Sequence, residues 1–530
     1  MTGGSTGWRL SRQALTTAYL FLLGTSAALA DTLWTRIYAS PWYGDDAACT
    51  VLTDTFNNTY VVGTGGHYPG IGGSDIVIVK YSWQHGNVNW TKRITGGDSV
   101  RDVVMGAALR PAGALCLTGQ TGESPNYDIL TLQLDANGNE VWRATYDGTK
   151  HAPDLGTAVA TDSEDNVFVA GEAQNSTLDY VTMKYYWSGS RAWTRLYDGG
   201  RNDRPTDIDL GPDGSVYVTG NSGVADVSTV KYSASGVQQW VRDGGLSRAA
   251  ALVVDGSGSV YITGSVPAPG MTSYLATVKY DSAGTQQWSK VYQHPQGQGA
   301  ALALGASALY VAGTAAGSAG DLDYVTIAYD YATGDTIWVR RGSGPDSSND
   351  AASGVAVGSD SSIWVTGTSN QQFMTVLYTP DGAGRWIERY GISDTDGAVA
   401  IALDRENKVV VTGNTWANPG YDILTVKFDT VGLAVAESSV LRPFSSFRFE
   451  LVPNPSASGR ATLQFSHGSA GAADVTVSGV DGRVILTRSI EADGVNTSYP
   501  LDLGKLDAGV YIVRLESGGQ SATQKLVIGR

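Results

Sequence analysis

Cysteine, histidine and methionine are all scarce in this chain of 530 residues, which holds two, five and five of them respectively. Two cysteines cannot build a disulfide scaffold, and Cys49 and Cys116 each fall inside an apolar strand-like run, so both read as buried free thiols. The histidines (His67, His85, His151, His294 and His467) show no metal-ligand spacing such as His-Glu-x-x-His, and no Gly-x-Ser-x-Gly elbow precedes a helix. Neither a metal centre, nor a bound cofactor, nor a catalytic constellation is expected. Basic residues are outnumbered 36 to 51, giving a formal charge of -15, and they form no stripe. Phosphate backbones and anionic lipid would be repelled, so no nucleic-acid partner is expected and the acidity reads as solubility.

Long apolar runs are missing too, except near the start. Arg9 and Arg12 precede an apolar stretch at 14–23, and Ala28-Leu29-Ala30 stands before Asp31. A charged end, a short apolar core and small residues at -3 and -1 predict a secretory signal peptide over 1–30, cleaved after Ala30, with Ala28 as the second small residue. The core is too short for a stable span, so no transmembrane helix is expected after its removal.

What the chain has in quantity is 67 Gly, 27 Tyr and 14 Trp, the profile of many short strands joined by tight turns. Aligned on Trp34, Trp90, Trp142, Trp193, Trp240, Trp288, Trp338 and Trp386, the sequence repeats with spacings of 56, 52, 51, 47, 48, 50 and 48 residues. Each repeat carries four apolar runs bounded by turn residues, the signature of a four-stranded antiparallel sheet. The predicted fold is all-β, an eight-bladed β-propeller with seven blades as the alternative, over 31–437. Since the chain enters on a Trp run and leaves on a third run, its first strand is expected to complete the last blade.

Within the repeat, small residues mark the first run as innermost, next to the axis. The Gly closing the second run is expected to supply a positive φ or a close sheet-to-sheet approach. Asp75, Asp128, Asp179, Asp226, Asp323 and Asp422 open the third run and are expected to satisfy turn amides. Lys80, Lys184, Lys231, Lys279 and Lys427 stand near its end. Neither Asp45-Asp46 nor Asp207 with Asp209 qualifies as an acid–base pair in so acidic a chain, and 135–140 reads as a hairpin turn, not a calcium loop. The loops after the second and Trp strands share one face; 38–46, 65–74, 147–155, 266–272 and 342–350 are the largest. Their Trp42, Tyr43, His67, Tyr68 and His151 are candidate ligand contacts. The pattern Tyr-Val-Thr-Gly, a spacer, Asp-Tyr-x-Thr-Val-Lys-Tyr, a Gly turn and Trp resembles the bacterial β-propeller repeats of the SBBP type, which imply a propeller and no shared activity.

After about residue 437 the period stops. A linker at 438–448 leads to 449–530, whose five short runs suit a small β-sandwich. Pro453-Asn454-Pro455, Asp481-Gly482-Arg483, Gly509-Val510-Tyr511 and the closing Lys525-Leu526-Val527-Ile528 resemble the type IX secretion sorting domain. That resemblance implies the type IX machinery as a partner, passage through the periplasm and outer membrane, and later release or surface attachment. The functional expectation is a secreted or cell-surface, non-enzymatic module for an extracellular protein or glycan. A polysaccharide- or peptide-degrading enzyme and a structural envelope component are the alternatives.

Overall fold

In the computed structural model the described residues are 32–428, apart from 41–43, 67–72, 97–99, 111–112, 224–225, 271, 318–319, 343–347, 394 and 417–419, and beyond them the strands of 449–528 with a few connecting residues. The expected signal segment and linker lie outside them. Between Thr32 and Phe428 the chain forms eight antiparallel four-stranded sheets. Blades 1 to 7 occupy 47–94, 103–146, 155–197, 203–243, 248–292, 298–342 and 350–390, with inner, second, third and outer strands in chain order. Blade 8 takes Gly397–Leu403, Val409–Trp416 and Tyr421–Phe428 from the end of the ring, and Thr32–Tyr38 from its start as the outer strand. Thr35 lies opposite Val426 and Arg36 opposite Thr425. Each inner strand neighbours the next, and Gly397–Leu403 neighbours Ala47–Thr53, so the ring closes with eight blades.

The apolar runs follow from this stacking. Second and third strands are covered on both sheet faces by adjacent blades, so stretches such as Tyr60-Val61-Val62 and Ile76-Val77-Ile78-Val79 are buried without alternation. The Gly closing each second strand has a tighter reason than expected. A Cβ on Gly264 would lie 1.9 Å from the Arg248 carbonyl oxygen, and one on Gly119 1.9 Å from that of Val103. In every blade the inner strand slips register opposite this glycine, as between Ala249 and Ala251 and between Val104 and Gly106. The glycine therefore accommodates a bulge within its own sheet without a positive φ, and in several blades it also allows the close sheet-to-sheet approach, since a Cβ on Gly63 would lie 2.7 Å from Ile423 and one on Gly367 2.6 Å from Tyr324 of the adjacent blade.

The C-terminal unit has a three-stranded sheet (Phe449–Val452, Arg460–Phe465, Thr497–Asp502) and a four-stranded one (Val484–Ala492, Gly471–Gly479, Gly509–Ser517, Gln520–Ile528). Leu451, Leu463, Val475, Val477, Val513, Leu515 and Leu526 form its core, with Tyr511 packed against them. Gly509 pairs with Ile528 and Ile512 with Lys525 in the closing hairpin. Pro453, Asn454 and Pro455 lie outside the described residues.

Candidate functional site

The two faces of the ring are used differently. On the face of the third-to-outer hairpin turns, one fastening recurs from seam to seam. The indole of Trp240 donates to the Ser282 carbonyl of the next blade at 3.2 Å, the Lys231 ammonium donates to the same oxygen at 2.9 Å, and Arg242 Nε donates to the Gly284 carbonyl at 2.5 Å. Gly284, at φ +80°, lies flat on the Trp240 ring, where a Cβ would come within 2.9 Å. Trp90 with Lys80 holds the Ala136 carbonyl, and Trp288 with Lys279 that of Tyr331. Trp34 donates to Trp83 across the closing seam, so the N-terminal strand fastens blade 8 to blade 1. The recurring Trp residues, together with Lys80, Lys231 and Lys279, are thus engaged in joining blades, while Lys184 lies over the Phe168 ring of its own blade. A cleft of about 340 Å³ on this face, bordered by Asp54, Arg110 and Asp404, is also internally satisfied. Asp54 pairs with Lys80, Arg110 with Asp165, and Asp404 with the fully buried Lys427.

The opposite face carries the second-to-third and outer-to-inner loops. Here the turn amides are held by a set of acids that the sequence reading passed over, those opening the inner strands. Asp46 accepts from Ser40 N at 2.5 Å, Asp102 from Gly96 N at 2.6 Å, Asp154 from Gly148 N at 2.5 Å and Asp203 from Gly199 N at 2.6 Å. All four are buried. Their signal was present, an Asp recurring directly before the small residues of the first run. The third-strand acids do something else. Asp75 meets Arg93 at 2.7 Å and Asp323 meets Arg341 at 2.9 Å, while Asp179 accepts from Asn175 and Thr177. The expected turn-capping role at these positions is replaced by pairing with side chains of the same blade, an outer-strand Arg for Asp75 and Asp323 and the polar residues of the preceding turn for Asp179. Backbone bonds bring the two sets of acids together: Asp46 N donates to Tyr421 O, Asp102 N to Ser74 O and Asp154 N to Tyr127 O.

The seam between blades 8 and 1 combines these acids with an exposed aromatic pair. Trp416 ends the second strand of blade 8 and Tyr421 opens the third; they are 43% and 37% exposed, with ring centroids 5.1 Å apart at 83°. Asp45 accepts from Tyr421 N at 3.0 Å, and Asp422 follows. Burial, reinforced by the Asp46 and Asp45 charges, pushes Asp422 up to about 7. Burial also pushes Asp46 up to about 6, against bonds from Ser40 and Gly66. Trp416 lies outside the Trp period, and that irregularity was the available signal for it. Among the aromatic candidates read from the sequence, His151 is exposed and bonds Asp147 at 2.5 Å, which raises its pKa. Trp42, Tyr43, His67 and Tyr68 lie outside the described residues. The loop expected at 266–272 is mostly strand, since Val260–Ala268 and Thr272–Tyr280 pair to Ala268 opposite Thr272.

Asp207 and Asp209 are structural. Each accepts a backbone amide of the next blade's inner strand, from Leu252 N and Val254 N, both at 2.8 Å. Asp135 closes its hairpin by accepting from Asn137 N and Asn139 N. Both cysteines are free thiols, and burial pushes Cys116 up to about 12 and Cys49 to about 11.

Residues 450–529 match the secretion system C-terminal sorting domain. The tail is such a domain, and it supports export of the propeller to the cell surface or the medium. A curated relative, the regulatory protein FlaEY of Caulobacter vibrioides, is 26% identical over 190 residues, covering 32% of this chain and 19% of its own length. The chain thus spans about a fifth of that relative. Among solved structures, the Dos1 propeller superposes with a TM-score of 0.47 at 9% identity, covering 75% of this chain and 95% of that one. Sqt1 from Chaetomium thermophilum gives 0.42 at 12% identity, with 60% and 83% covered. The propeller assignment comes from the strand pairing.

Proposed function

We propose that this chain is an exported, non-enzymatic binding module that takes an extracellular glycan or protein on its loop face, with Trp416 and Tyr421 at the centre of the contact. The observation that carries this reading is the exposed aromatic pair set beside Asp45, Asp46 and Asp422. Flat rings stack on the apolar faces of sugars or on peptide side chains, and neighbouring carboxylates accept hydrogen bonds from hydroxyls and amides. The turn face has its Trp and Lys engaged in blade joining, which leaves the loops free to vary from blade to blade. In this reading 1–30 is removed after Ala30, 31–437 is the working domain, 438–448 is a tether, and 449–530 engages the type IX machinery through Pro453, Asn454, Pro455, Gly509, Tyr511 and Lys525.

A hydrolytic reading draws on the raised pKa values of Asp46 and Asp422, since a protonated carboxyl near neutrality is what a general acid needs. One set of assays separates the two. Glycan and peptide arrays probed with the purified chain should show binding that is lost when the 65–74 loop is shortened or Trp416 is replaced by Ala. Turnover of a polysaccharide or peptide library would instead establish the enzyme. For export, a chain lacking 449–530 should accumulate in the periplasm; normal surface delivery would refute the sorting role.

A further inference from the structure

We infer that the loop-face seam between blades 3 and 4 is a site for a hard divalent cation, Ca²⁺ in preference, with Asp179, Asp198 and Asp203 as its carboxylate ligands. Three elements supply them. Asp179 stands in the third strand Leu178–Tyr185, Asp198 follows the outer strand Arg191–Tyr197, and Asp203 opens the inner strand Asp203–Leu210 of the next blade. One carboxylate oxygen from each lies within 4.8 Å of the other two. That separation fits ligands on opposite sides of a cation with metal–oxygen bonds of about 2.4 Å, and an all-oxygen donor set suits Ca²⁺.

Asp203 itself points to a ligand. It is fully buried, and while Oδ2 accepts from Gly199 N, Oδ1 has no hydrogen-bond partner. The Ser222 hydroxyl lies beside the carboxylate and favours its charged form. A buried carboxylate oxygen left unsatisfied is costly, and a cation is what would satisfy it.

The repeat provides its own controls. Where Asp75 and Asp323 open their third strands, Arg93 and Arg341 reach them from the outer strand, at the positions paired with Val77 and Val325. The corresponding partner of Val181 in blade 3 is Leu196. Between blades 2 and 3 the loop supplies His151 against Asp147. Among the described residues no cationic side chain pairs with Asp179, Asp198 or Asp203, so the protein's own counter-charge is replaced here by a leucine. The cation would tie blade 3 to blade 4 from the face opposite the Trp fastening. This inference is independent of the glycan or protein reading.

The probe is Tb³⁺, a luminescent substitute for Ca²⁺. Tyr180 and Tyr197 adjoin two of the ligands in sequence, with rings 5.4 Å apart, and are placed to sensitise it. The full mature chain should give saturable Tb³⁺ luminescence that Ca²⁺ displaces, and millimolar Ca²⁺ should raise its melting temperature. Asp198→Asn, at an exposed loop position, should weaken Tb³⁺ affinity at least tenfold and abolish the Ca²⁺-dependent rise while melting like the parent without metal. Asp75→Asn, at an acid already paired with Arg93, should leave binding unchanged. Absence of Ca²⁺ binding at millimolar concentration, or equal binding by parent and Asp198→Asn, overturns the site.

Discussion

Replacing Trp34 by Ala tests how the ring is closed, because the strand that carries it joins blade 8 without a covalent turn. Trp34 is 5% exposed, its ring stands 5.5 Å from that of Tyr81, and Gly86 of blade 1 sits against it at φ +60°. Arg36 of the same strand donates to the Gly86 carbonyl at 2.7 Å. Truncating a buried tryptophan costs about 3–5 kcal/mol. The indole bond to Trp83 O, at 3.5 Å, lies at the edge of hydrogen-bond geometry and adds little. Since the strand joins blade 8 by pairing and packing, with no covalent turn, the loss should appear first as local opening. Amide exchange over 32–38, followed by mass spectrometry, should accelerate roughly 100- to 4,000-fold, at about 1.4 kcal/mol per tenfold. Gly86→Ala approaches the same contact from the other side, with its Cβ 2.5 Å from the Trp34 ring. Because truncating Trp34 removes the atoms that this Cβ meets, the double variant should cost less than the two singles summed, by about 0.5–3 kcal/mol. Protection over 32–38 within threefold of the parent in Trp34→Ala would refute the clasp.

Other consequences follow from named contacts. Burial pushes Asp207 up to about 7, and Asp422 and Asp46 to about 7 and 6, so the folded state binds these protons more tightly than an unfolded chain whose carboxyls titrate near 4. Their stabilisation is therefore fully present below about pH 4 and lost as pH rises through 6–7. Urea midpoints should rise between pH 8 and pH 5, with Asp207 alone contributing on the order of 3 kcal/mol over that interval at 1.36 per unit. A midpoint that falls over that interval contradicts the burial argument. Gly264→Ala should destabilise by several kcal/mol, of the order of 2 or more, because the bulged strand must move, whereas Gly256→Ala, whose Cβ meets nothing within 4 Å, should stay within about 0.5 kcal/mol. Chemical denaturation of the two variants decides it. Lys427→Met leaves Asp404 buried and unpaired and should cost about 3–5 kcal/mol, read in the same way.

The ring was legible because it repeats: eight Trp runs, four strands per unit and an outer strand at the start together specify the closed topology. The Trp and Lys could be counted in the sequence, but their joint bond to a carbonyl of the next blade depends on how blades stack, which no single repeat contains. The second-strand glycine was noticed for its constancy and half explained: the close approach of the neighbouring blade is there, but the register slip in the partner strand leaves no mark of its own in composition. Asp46, Asp102, Asp154 and Asp203 were overlooked for a different reason. They belong to the first run of one blade but face the third-strand acids of the blade before, and that neighbourhood exists only across a seam. Leu196 carries meaning only when set against Arg93 and Arg341 at the same register position. Trp416 was hidden by the periodicity itself, which directed attention to the tryptophans that obey it.

In the proposed function the ring uses one face to hold its blades together and offers the other, around Trp416 and Tyr421, to an extracellular ligand. Array binding by two single variants tests it most directly: Trp416→Ala on the loop face, and Trp187→Ala on the turn face, where that side chain is 67% exposed. Binding weakened tenfold or more by Trp416→Ala and unchanged by Trp187→Ala is the predicted result. Binding that survives Trp416→Ala and is lost with Trp187→Ala would place the ligand on the wrong face and contradict the account.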